Sequence, residues 1–105
     1  MMAWVYLVLA GLLEIGWAIG LKYSVGFTKP GISVVTVLTM IASFLLLAQA
    51  LKTIPVGTGY AVWTGIGAAG TAIVGMAILG EPREVGRIVC VMLILSGVVG
   101  LKVLS

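Results

Sequence analysis

Hydrophobic residues run along this chain in four long blocks, at about 3–21, 32–51, 57–79 and 85–104, separated by short segments rich in glycine, proline and charge. Each block is close to the length of about 20 residues that a helix needs to cross the hydrocarbon of a bilayer. Backbone N–H and C=O groups in lipid have no water to bond and must bond within their own segment, whereas a barrel would show shorter alternating strands. The pattern therefore predicts an all-α membrane protein, a single domain of four transmembrane helices over residues 1–105. The breaks agree with this. Lys22 to Gly31 carries two lysines, Gly26 and Pro30; Lys52 to Val56 contains Pro55; and Gly80-Glu81-Pro82-Arg83-Glu84 couples a glycine stop to a proline that cannot continue a helix.

Composition sharpens the picture. A soluble domain of 105 residues cannot hide a chain that is 62% hydrophobic and 9% charged. The net charge of +3 comes from six basic residues spaced singly at Lys22, Lys29, Lys52, Arg83, Arg87 and Lys102. Nucleic-acid binding needs a basic patch, and single cations at helix ends instead meet lipid headgroups. With one cysteine, Cys90, no histidine and three acidic residues, no disulfide, metal site or cofactor is expected, and no nucleophile and base pair suggests an enzyme. Met-Met-Ala-Trp lacks the positive leader of a cleaved signal peptide, so the first block is read as a retained helix.

Four of the basic residues belong to the side of the first and third loops, and Lys52 and Lys102 to the other. This bias is too slight to fix one orientation. Insertion both ways is expected, and an antiparallel homodimer of two such copies would supply the inverted symmetry that one copy lacks.

Glu14 is the one acidic residue inside a block, about 3 Å from the membrane midplane at 1.5 Å per residue. A charge there costs roughly 2.5–3.5 kcal/mol and is tolerated where it faces a polar cavity or a partner. No permanent cation lies at matching depth, so a proton and an arriving cation compete for one carboxyl group. Trp17 and Ala18 share its helical face, with Ala10 and Gly11 one turn before. Ser43 lies near the middle of the second block, and Tyr60, Trp63 and Gly67 recur at helical spacing in the third. Aromatic faces attract organic cations, and indole or phenol groups can orient a carboxylate. Trp4 and Tyr6 fit an interfacial belt. The third block is dense in glycine, and Gly65-Ile66-Gly67 is its expected bending point. Gly16 with Gly20 and Ser96 with Gly100 are small-residue pairs suited to helix association.

The run Glu14-Ile-Gly-Trp17-Ala18-Ile-Gly-Leu21-Lys22-Tyr-Ser24-Val-Gly26-Phe27-Thr28, together with Pro55-Val-Gly57-Thr58-Gly-Tyr60-Ala61-Val-Trp63-Thr64-Gly65-Ile-Gly67, resembles the small multidrug resistance family. The tryptophan three residues after the membrane glutamate resembles its guanidinium-exporter subtype. The resemblance covers the whole chain. It implies a dual-topology antiparallel homodimer in a bacterial inner membrane, exchanging protons for guanidinium by alternating access. By position it makes Glu14 the shared proton and substrate site, has Trp17, Ser43, Tyr60 and Trp63 orient it, and has Gly65 and Gly67 kink the third helix. It also places the dimer contact on the fourth helix, where Gly97 matches the family and Cys90 replaces a glycine of the drug-pump branch. Guanidinium's planar fork of N–H donors suits a carboxylate's two oxygens, whereas a quaternary ammonium must rely on aromatic faces and dispersion. Multidrug export of quaternary ammonium or aromatic cations is the alternative cargo. A non-transporting assembly subunit is the alternative from another class.

Overall fold

The computed structural model describes residues 2–105 and contains four helices: α1 Met2–Tyr23, α2 Pro30–Ala50, α3 Val56–Ala77 and α4 Val85–Leu104. Each has 20 to 22 residues, and all four are apolar enough to span a membrane. No strand occurs among the described residues. The protein is an all-α, multi-pass membrane protein.

The helix ends follow local chemistry. Pro30 opens α2 two residues before the hydrophobic run, because a proline in the first turn removes an N–H that would have no helical partner. At the end of α3 the N–H groups of Leu79 and Glu81 both return to the Gly75 carbonyl, at 3.2 and 3.1 Å. Gly80 takes the left-handed turn that this requires, at φ 73°. The first loop is tied by hydroxyls. Ser24 Oγ donates to the Leu21 carbonyl at 2.9 Å and accepts the Phe27 N–H at 3.1 Å, while Thr28 Oγ1 donates to the Val25 carbonyl at 2.7 Å. Those bonds hold Val25 and Phe27 at φ 50° and 67°, a region that side-chain-bearing residues seldom adopt.

Helix α1 is the structural centre. It packs along α2 and α3, whereas the backbone of α4 runs close to that of α3 and to neither α1 nor α2. The result is a slab of 40 × 34 × 17 Å, not a closed bundle. Its core joins Leu7 and Ala10 of α1, Ala50 and Ile54 beside the second loop, and Val62 and Trp63 of α3. Glycines let the helices approach closely: a methyl group on Gly11, Gly20 or Gly70 would run into Ile66, Thr36 or Ile15 respectively. Gly16 and Gly20, a pair that could have joined two chains, both face α2 of their own chain. Of α4 only Val91 is buried. Lys102 ties its far end to α1, with Nζ 4.9 Å from the centre of the Trp4 ring.

Candidate functional site

Glu14 sits just beyond the middle of α1, in a stretch that packs against both α2 and α3. Its side chain lies directly on Gly67 of α3, and a β-carbon built there would occupy the space of the carboxylate. Glycine at 67 is therefore the condition for a carboxyl group to fit between these helices. Glu14 Oε1 is buried and accepts no hydrogen bond among the described residues. The one ion pair among them, Arg87 to Glu84 at 3.8 Å, is solvent-facing and at the start of α4. An acceptor buried in this way costs about 1–3 kcal/mol unless something donates to it.

One turn before Glu14, three helices are pinned together. Trp63 Nε1 donates to Ser43 Oγ at 3.0 Å, and Ser43 Oγ donates to the Ala10 carbonyl at 2.7 Å. In an α-helix that carbonyl also accepts the N–H of the residue four positions on, which is Glu14. Ser43 is fully buried and Trp63 nearly so. The pair thus holds the α1 backbone that carries the carboxylate, and does not itself hydrogen-bond the carboxylate.

The aromatic rings form a continuous file. Trp17 meets Phe44 edge-on at 6.1 Å between centroids, Phe44 meets Trp63 at 5.7 Å, and Tyr60 tilts against Trp63 at 5.7 Å. Phe44 is the member that sequence reasoning missed. It stands in an unbroken apolar run of α2, where one ring among aliphatics gives no pattern, and adjacency to Ser43 was the available clue. Tyr60 is 57% exposed and reaches Trp63, not Glu14. Trp17 Nε1 is buried and donates to nothing among the described residues.

Gly65 and Gly67 lie within α3, which runs unbroken through them, and they serve different neighbours. Gly67 receives Glu14, and Gly65 receives Val98 and Ile94 of α4. Gly97 is elsewhere: a β-carbon there would touch nothing, so it faces away from the rest of the chain. No cluster of histidine, cysteine, aspartate or glutamate able to hold a metal occurs among the described residues.

Known proteins match this chain along its length. Residues 2–94 fit the family model described as Small Multidrug Resistance protein. A protein of Yersinia pseudotuberculosis named Guanidinium exporter is 58% identical over 104 residues, covering 99% of this chain and all of that one. Proteins of the same name from Escherichia coli K12 and Salmonella typhimurium are 55% and 52% identical over 101 residues, or 96% of each chain. With a family model spanning α1 to α3 and the first half of α4, and relatives matched end to end, the chain belongs to the Small Multidrug Resistance family.

Proposed function

We propose that this protein is a proton-coupled antiporter that exports guanidinium and small substituted guanidiniums, working as an antiparallel, dual-topology homodimer in a bacterial inner membrane. The observation that carries the proposal is the Glu14 carboxyl group, lodged against Gly67 near the middle of its membrane helix with an oxygen that nothing among the described residues satisfies. A guanidinium supplies what this group lacks, a positive charge and a planar pair of N–H donors. A proton supplies it too, and one carboxyl group cannot hold both. Exchange follows from that exclusion: proton uptake on one side releases the cation, and proton loss on the other readies the site for the next. The names of the relatives, Guanidinium exporter, support this cargo.

Ser43 and Trp63 hold the carboxylate-bearing turn of α1, while Trp17, Phe44 and Tyr60 line the approach with rings. Gly65 and Gly67 are the places where α3 bends as the dimer changes its open side. The unpartnered flank of α4, with Gly97 upon it, supports a dimer contact there. A second copy would also close the thin slab over the Glu14 face.

The file of four rings favours a second cargo class, quaternary ammonium or aromatic cations, which need cation–π contact and no hydrogen bonds. Proteoliposome currents with guanidinium and with a tetraalkylammonium, across a series of pH values, separate the two. Guanidinium is expected to drive the larger current. Its apparent affinity should weaken as pH falls, by up to about tenfold per pH unit where one proton displaces one cation. Glu14→Gln should abolish both binding and exchange. Guanidinium binding that is indifferent to pH, or retained by Glu14→Gln, would overturn the proposal.

A further inference from the structure

Thr71 is the one hydroxyl among the described residues that is shut off from solvent and has no hydrogen-bond partner. Ser33, Thr36, Thr39 and Ser96 each donate to the carbonyl four residues back, at 2.6 to 2.8 Å. That local bond is the usual resource of a hydroxyl inside an apolar helix. Thr71 Oγ1 makes no such bond and, although shut off from solvent, has no partner among the described residues. The other buried side-chain atoms in that condition are Glu14 Oε1 and Trp17 Nε1, so all of them lie on α1 and α3.

Their placement is related. Helices α1 and α3 run in the same direction, and the pairs Gly11 with Ile66, Glu14 with Gly67 and Ile15 with Gly70 set their register. Thr71 follows Gly67 by four residues on α3 and so belongs to the stripe that faces α1, level with Trp17. Four residues of helix rise about 6 Å, and two hydrogen bonds of about 2.9 Å each that leave adjacent edges of one small planar cation at an angle reach acceptors about that far apart. On the other side of Glu14, toward the start of α1, Ser43 and Trp63 are already committed to each other and to the Ala10 carbonyl. The open acceptor lies on the Thr71 side.

Resting on guanidinium as the cargo, we propose that Thr71 is a further substrate-binding residue, its hydroxyl accepting an N–H that Glu14 leaves unused. Its role is selective. Guanidinium carries N–H donors on every edge, so binding both Glu14 and Thr71 uses two edges of one small ion. A cation without N–H groups gains nothing from the hydroxyl and must bury it unpaired.

The test compares guanidinium-evoked currents in proteoliposomes of the full-length protein carrying Thr71→Val, Thr71→Ala or Thr71→Ser. Removing the hydroxyl should raise the guanidinium KM about tenfold in both Val and Ala variants, with the maximal rate within about twofold, and Ser should restore most of the affinity. Val preserves the shape of the side chain and Ala reduces it, so a shared loss reports the hydroxyl and not the packing. An unchanged KM in either Val or Ala overturns the assignment, as does a Ser variant as impaired as Ala. A wild-type protein that gives no guanidinium current overturns the cargo as well. Wild-type current with indifferent variants leaves the cargo standing and removes Thr71 alone.

Discussion

Gly67 and Glu14 act as a unit because the absence of a side chain on one creates room for the carboxyl group of the other. The contact is with backbone on one side, so it cannot be relieved by moving α3 side chains; the carboxylate must shift instead. Overpacking of this kind costs about 1–3 kcal/mol. Gly67→Ala is therefore expected to lower guanidinium transport by about ten- to a hundredfold, since 1.4 kcal/mol is a factor of ten, while leaving helix content unchanged by circular dichroism. Transport at the wild-type rate would show that the carboxylate does not need this position. Trp63 and Ser43 work by a different route. Their bonds end on the Ala10 carbonyl, so they govern where the Glu14 turn stands and not its charge.

Among the helices, α1 is held by side chains placed in the glycine gaps of its neighbours and its own. At Gly20 the gap is filled by Thr36 of α2, whose hydroxyl is at the same time tied to the Ile32 carbonyl and cannot readily turn away. Gly20→Val should consequently destabilise the α1–α2 pair by about 1–3 kcal/mol, read as a lower thermal unfolding midpoint in detergent. An unaltered midpoint would mean that the two helices separate there at no cost. The α3–α4 pair is looser by construction. It rests on Gly65 receiving Val98 and Ile94, with little of α4 buried. Helix α4 is thus the element best placed to exchange its neighbours.

The molecule as a whole is a slab with one helix attached at its edge, and large apolar side chains cover its outer surfaces, among them Leu93, Val99 and Val103 of α4. Lipid accepts such a surface, and so does another copy of the chain. Dual topology makes a direct expectation: a single cysteine placed at Ser105, in a chain whose Cys90 is changed to serine, should react with an impermeant thiol reagent from both sides of the membrane. Labelling from one side alone would exclude an antiparallel dimer. The scattered charges are consistent with that expectation, since Lys52 and Lys102 stand against Lys22, Lys29, Arg83 and Arg87 with Glu81 and Glu84 among the latter.

Hydrophobic run length by itself determined that there are four membrane helices, because lipid leaves a backbone of that length no other way to satisfy its hydrogen bonds. The same reasoning singled out Glu14, since an acid at mid-membrane needs no neighbours to be recognised as costly. Boundaries moved by a residue or two where caps decided them, as at Pro30 and Gly80. What only the tertiary structure decided is who touches whom. That Gly67 holds the carboxylate, that Gly16 and Gly20 pack inside one chain, that Ser43 reaches the Ala10 carbonyl, and that Phe44 completes the ring file all depend on how α1, α2 and α3 are set against one another. A glycine or a hydroxyl in an apolar helix looks the same along the chain whichever neighbour it serves, and its role is fixed by a contact many residues away.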